Sequence, residues 1–207
     1  VSITGPESSG KSALSKYLSE ALGGVMVEEY AREYLESHPG ETTLADLAEI
    51  CAGQLAAEND AYKTEGIIVC DTDFTVLKIW AEVVFGEVPD AIEKAFHNQR
   101  YDLTLLCKPD LPWEPDPLRT MPNAQDRMRL FEKYCDTLES NNFPFHIVEG
   151  QGIARGEMAL EIVRRRDQDV PFVFVPYHHP RWVGWVYKEY IALYRQADAI
   201  IALTKAE

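Results

Sequence analysis

The chain contains no apolar run that approaches the roughly 18 residues a membrane-spanning helix needs, and no segment of it repeats. It also lacks a surplus of positive charge: 20 Lys and Arg stand against 34 Asp and Glu, for a net charge of −14. Because a duplex presents one phosphate charge per about 1.7 Å, neither nucleic acid nor a membrane is an expected partner. Any polyanion that binds must do so at a local positive site built against the overall field. The four cysteines, Cys51, Cys70, Cys107 and Cys135, are far apart and form no CxxC pair. They read as reduced packing residues in a chain long enough to bury a core without staples. There is no low-complexity linker, and 46% hydrophobic with 26% charged residues is a globular composition. No basic and apolar leader pattern precedes Val1-Ser2-Ile3-Thr4, so a strand start and a cytoplasmic location are expected.

What is present is alternation. Strands are expected at 1–4, 25–27, 67–70, 103–107 and 145–148, and helices at 11–22, 44–62, 74–85, 124–138 and 157–166. The burst at 67–70 is apolar throughout and too short for a helix, the pattern of a strand covered on both faces. Such alternation implies an α/β fold, a parallel sheet with helices on both faces, because right-handed crossovers place them there. Five prolines within 109–122 forbid a continuous helix or central strand and leave an ordered irregular loop. Beyond Arg166 the pattern changes to strand, aromatic-rich helix and strand at 170–175, 182–195 and 199–203. Two parts are therefore expected: a domain over 1–166, and a short βαβ-like carboxy-terminal extension over 167–207, fused or incomplete.

Gly5-Pro6-Glu7-Ser8-Ser9-Gly10-Lys11-Ser12 is a full G-x-x-x-x-G-K-[ST] match between a short strand and a helix. The glycines let the backbone curl so that successive N–H groups face phosphate oxygens. The helix start adds its positive dipole end. Residues 5 to 13, Ala13 included, are the expected triphosphate cradle, with Lys11 on the β- and γ-phosphates and the Ser12 hydroxyl on Mg²⁺.

Three further segments carry candidate chemistry. Asp71 ends a buried strand, where such a fold holds its metal, and Asp73 either accepts a proton from a substrate hydroxyl or caps the following helix, two compatible roles. Glu29, Tyr30 and Arg32 follow the second strand, where a carboxylate, a ring and a guanidinium could meet a hydroxylated substrate; the run also suits a solvated helix start. Trp113 and Arg119 lie in the proline-rich segment and Arg127 beyond it. A lid carrying arginines would bring positive charge to the γ-phosphate and keep water away, with Arg119 the first choice and Arg127 the second.

GPESSGKS, EYARE, DTDF and WEPDPLR, in this order and spacing, resemble the ribosylnicotinamide kinase domain of the bacterial NadR proteins and their stand-alone relatives among P-loop ATPases. The resemblance covers 1–166. It implies a P-loop NTPase fold of the nucleoside kinase type and ATP-dependent phosphorylation of nicotinamide riboside to nicotinamide mononucleotide, with Mg²⁺. It further implies that Gly5, Gly10, Lys11 and Ser12 bind phosphates and that Asp71 and Asp73 serve metal and hydroxyl. Glu29, Tyr30 and Arg32 would face the nucleoside, and Trp113 and Arg119 would belong to the lid. The chain shows neither the DNA-binding module nor the adenylyltransferase domain of full-length NadR proteins, so dinucleotide synthesis is not expected. VPFVFVPYHHPRW and ADAIIALTKAE in the tail resemble a piece of the amino-terminal domain of a GT-B glycosyltransferase. On a strand His178 and His179 would face opposite sides, which disfavours a shared metal. A nucleotide-dependent switch is the competing function, and a substrate-sized pocket facing the phosphate loop separates the two. A homo-oligomer is left open.

Overall fold

Five parallel strands, β1 (Ser2–Thr4), β2 (Val25–Val27), β3 (Ile68–Asp71), β4 (Thr104–Cys107) and β5 (Phe145–Val148), form one sheet in the order β2-β3-β1-β4-β5. They belong to a computed structural model that describes residues 1–167. Ile3 lies level with Asp71 on one side and Leu105 on the other, so the carboxyl ends of the strands share one edge. Because β1 sits between β3 and β4, the chain leaves β1 at the point where the strand order reverses, the crevice in which open α/β sheets bind ligands.

Alternation within the strands assigns the two faces. Ile3, Leu105, Cys107 and Val148 pack with α1 (Lys11–Leu22) and α7 (Gly152–Asp167). Leu106 turns the other way, toward α4 (Phe74–Phe85) and α6 (Ala124–Ser140). On that side α3 (Leu44–Ala61), α4 and α5 (Asp90–Asn98) bury a second apolar cluster, including Leu47, Ile50, Leu77, Ile92 and Phe96. Thr43 opens α3 with a capping box: its hydroxyl accepts from the Asp46 amide while the Asp46 carboxylate accepts from the Thr43 amide. All four cysteines are free and buried, and burial pushes the Cys70 and Cys135 thiols up to about 12, as inert packing thiols require. Among the described residues no helix is long and apolar enough to cross a membrane.

The expected strands and most helices lie within a residue or two of their observed positions, and three helices differ. The charged run after β2 is the helix α2 (Tyr30–Ser37), with Ala31 alone buried. The helix α5 is absent from the expected set although Ile92 and Phe96, both buried, stand at i, i+4 in a polar stretch, an amphipathic pattern confined to nine residues. α7 starts at Gly152 instead of 157, against the poor helix propensity of its two glycines. Tertiary packing overrides propensity there: a Cβ on Gly156 would stand 2.7 Å from the Tyr17 ring, so only glycine lets α7 close on α1. The strand-helix-strand expected in the carboxy-terminal extension, with its glycosyltransferase resemblance and His178 and His179, lies outside the described residues.

Phe96 is fully buried, meets Phe143 edge-on at 5.2 Å between ring centroids, and carries Lys78 Nζ 5.3 Å over its ring. Phe96→Ala should therefore lower unfolding free energy by about 3–5 kcal/mol in urea titration; a loss below about 1 kcal/mol would contradict this packing.

Candidate active site

The phosphate loop is bent by close packing against the sheet. Gly5 has φ +133°, and a Cβ there would lie 2.7 Å from the Cys107 carbonyl oxygen. Gly10, at φ +80°, sits under Leu111 and precedes the first turn of α1. Between them the fully buried Ser9 donates its hydroxyl to the Pro6 carbonyl at 2.7 Å, and Ser8 adopts φ +56°. Lys11 Nζ donates to the Gly5 and Pro6 carbonyls, each at 3.0 Å, across the mouth of the curl. Ser12 and Ala13 line the cavity that opens from the loop.

Asp71, at the end of β3, is buried, and its Oδ1 has no hydrogen-bond partner. Burial pushes its carboxyl up, while the Ser12 hydroxyl and the Lys11 cation pull it back. An orphaned carboxylate oxygen beside a serine hydroxyl and a phosphate cradle fits a hard divalent cation that takes oxygen ligands. Thr72 follows in a left-handed conformation at φ +88°, a strained place for a β-branched residue at about 1–3 kcal/mol. Asp73 is fully buried. Its Oδ1 accepts from the Thr4 hydroxyl at 2.8 Å and from the Thr75 and Val76 amides at 3.1 and 3.3 Å, which caps α4.

These placements correct part of the expected constellation. Glu29 lines the cavity, whereas neither Asp71 nor Asp73 is in its wall; Asp73 spends Oδ1 on the start of α4 and its buried Oδ2 has no hydrogen-bond partner. Burial pushes the Glu29 carboxyl up, with Lys11 opposing and Asp71 adding to the rise. Arg32 also faces the cavity and pairs with Asp116 at 3.1 Å. Tyr30 does not face it: its ring lies where a Cβ on Gly53 would be, 2.0 Å from Cε1, so it packs α2 onto α3. Arg127 is buried behind Leu111, whose carbonyl its Nη1 approaches at 3.5 Å, and is not part of the cavity wall.

The proline-rich segment folds over the loop, and Glu7 holds it there. The Glu7 carboxylate accepts from the Trp113 indole at 3.3 Å and from the Thr120 and Met121 amides at 2.9 and 2.6 Å. Trp113 is thus engaged with Glu7 outside the cavity wall, whereas Arg119 lines the cavity and donates to the Glu114 carbonyl at 2.8 Å. The cavity, of about 510 Å³, is lined also by Glu29 and Arg32 and by a largely apolar wall of Val76, Trp80 and Val83 from α4 and Leu130 and Tyr134 from α6.

The family model of the AAA domain matches residues 1–155. The chain belongs to the AAA domain family. This AAA domain is also similar to the trifunctional NAD biosynthesis/regulator protein NadR of Escherichia coli strain K12, at 30% identity over 170 residues, 79% of this chain and 42% of that protein. The chain thus spans less than half of that curated relative. Solved NadR proteins in complex with NAD and AMP-PNP and in complex with NR match with TM-scores of 0.64 and 0.66 at 24% and 23% identity. The matches cover 80% and 86% of this chain, and 48% and 53% of theirs. A deoxyadenosine kinase from M. mycoides matches with a TM-score of 0.57 at 17% identity, over 79% of this chain and 97% of its own. The fold of the AAA domain here is that of the P-loop kinases.

Sequence reasoning missed Arg155 of α7, which is 5% exposed. Its guanidinium donates to the Ser9, Lys108 and Gly150 carbonyls and pairs with Asp110 at 2.8 Å, so it buttresses the phosphate loop from behind. A signal existed: Arg155, Ala159 and Val163 recur every four residues, and all three are buried, which puts an arginine on the core stripe of its helix. The latching role of Glu7 had no such signal. Glu7→Ala should leave the fold intact and speed hydrogen exchange at the Thr120 and Met121 amides by about tenfold or more, since each loses a charged acceptor. Unchanged exchange at both amides would show that the lid is held by other contacts.

Proposed function

We propose that residues 1–166 form an ATP-dependent kinase unit that phosphorylates a nucleoside hydroxyl, with nicotinamide riboside as the acceptor. The observation that carries this reading is one cavity lined by the phosphate loop, by Glu29, Arg32 and Arg119, and by an apolar wall from α4 and α6. Its volume suits a small ligand. A nucleotide switch needs a loop ordered by the γ-phosphate and has no use for an acceptor chamber. The choice of acceptor is supported by the likeness to NadR, a solved example of which is in complex with NR.

In this reading the amides of residues 5–13 cradle the triphosphate of ATP and Lys11 places its cation on the β- and γ-phosphates. Ser12 and Asp71 would hold Mg²⁺, which when bound neutralises charge on the terminal phosphates. Glu29 accepts the acceptor's hydroxyl proton as that oxygen bonds to the γ-phosphorus and the bond to the bridging oxygen breaks, releasing ADP. Arg119 meets the charge that develops on the transferred group, and Arg32 orients the acceptor. Asp73 serves by capping α4.

The test is ATP turnover against a panel of nucleosides. ADP release should rise with nicotinamide riboside, with nicotinamide mononucleotide as the second product; tight ATP binding with no stimulation by any nucleoside would favour the switch. Glu29→Gln should cut kcat by about 10²–10⁴-fold with an unchanged melting temperature, whereas Asp73→Ala should lower the melting temperature. Since burial raises the Glu29 carboxyl, the acidic limb of kcat should lie above the usual carboxylate range, with activity lost as pH falls through it. A limb within the ordinary range would remove Glu29 as the base.

A further inference from the structure

Glu29 is the N-cap residue of α2, yet its carboxylate makes no capping hydrogen bond. The start of α2 is instead tied to another helix. The Tyr30 amide, one of the unpaired donors at the start of α2, donates to Oε1 of Gln54 on α3 at 3.0 Å. Gln54 is only 2% exposed, and its Nε2 donates at 3.3 Å to Glu58, one turn further along α3 and equally buried. Glu58 in turn accepts from the Tyr101 hydroxyl at 2.9 and 3.0 Å. The orientation of the Gln54 amide is forced, because the Tyr30 N–H can only donate and an ionised Glu58 can only accept. Next to Gln54, the absent side chain of Gly53 makes the seat for the Tyr30 ring. Two consecutive residues of α3 thus grip Tyr30, one by its ring and one by its amide.

We infer that Gln54, oriented by Glu58 and Tyr101, is a positioning residue for the acceptor site: it anchors the first amide of α2 from α3 and so fixes the backbone from which the neighbouring Glu29 carboxylate faces the cavity. The inference rests on the reading of Glu29 as the group that meets the acceptor hydroxyl. A glutamate that capped its own helix would turn its carboxylate toward the amides of α2, as Asp73 turns its own toward the amides of α4. Glu29 makes no such bond, and with the adjacent Tyr30 amide anchored on α3 its carboxylate stays on the cavity side. Burial pushes the Glu58 carboxyl up to about 7, against the Tyr101 and Gln54 donors that hold it down, so Glu58 depends on those bonds to remain an acceptor.

The decisive experiment exchanges the two polar ends of the strut. Gln54→Leu and Gln54→Glu should each cut kcat/KM for the acceptor by about tenfold with KM for ATP unchanged, the first by leaving the Tyr30 amide unpaired and the second by setting two buried carboxylates face to face. Gln54→Glu combined with Glu58→Gln restores one acceptor for Tyr30 and one donor between the side chains, and should return kcat/KM to within about threefold of the parent. Tyr101→Phe removes only the bonds to Glu58 and gives an independent reading, with a weaker acceptor KM and the same KM for ATP. The inference fails if the folded single variants keep parent acceptor kinetics, if the exchange does not rescue, or if KM for ATP rises in step. Glu29→Gln, measured alongside, separates the two ideas. If it works at the parent rate, the reading of Glu29 is wrong; if it is inactive while Gln54→Leu and Tyr101→Phe are unaffected, only the strut is wrong.

Discussion

Everything in the candidate site depends on how closely the chain passes the sheet at Gly5. The residue follows the central strand, and the Cys107 carbonyl at the end of β4 occupies the space that any side chain would need. That approach bends the backbone back over the strand ends and delivers Gly10 and Lys11 to the start of α1 at the edge that Asp71 also reaches. Arg155 then fills the space behind the loop and satisfies the Ser9 carbonyl that the curl turns inward. A buried arginine in that place fastens the loop to β4, β5 and α7 together, so the loop keeps its shape by packing and hydrogen bonds of its own.

How much of this was legible in the sequence varied with the range of the interaction involved. The phosphate loop could be read because its signature is local: each glycine and the lysine act within a few residues of backbone. Strands such as β3 and β4 were legible because they are short, nearly continuous apolar bursts, and α4 because its apolar pattern is dense. Roles that depend on partners distant in sequence were not. Asp73 and Glu29 are both carboxylates at helix starts beyond strand ends, and no local pattern says that one caps its helix while the other faces the cavity. The start of α2 beside Glu29 is held by Gln54, 24 residues beyond the amide it accepts from. Tyr30 was expected near the nucleoside by its place after a strand; Gly53, far along the chain, draws its ring away. For the same reason the Glu7 latch joins positions more than a hundred residues apart and left no trace in composition or spacing.

An acidic protein of net charge −14 that holds a triphosphate faces an electrostatic difficulty, and the site contains its own remedy. Glu7 lies in the loop itself, where a bare carboxylate would repel phosphate. Its oxygens are instead taken by three N–H donors of the proline-rich segment, so its charge holds that segment in place and is spread over those bonds. Asp71 and Glu29 are desolvated close to each other, which raises both carboxyls; Lys11 opposes both rises and so stands as the shared counter-charge. Arg119 and Arg32 add cations from the lid and from α2. In the proposed kinase reading the lysine has two tasks, one toward the phosphates and one toward its own acidic neighbours. In that same reading, when Lys11 engages phosphate, part of its hold on Glu29 is withdrawn and the carboxylate becomes a stronger proton acceptor. In this arrangement binding one substrate prepares the group that acts on the other, through charge alone and without a change of fold.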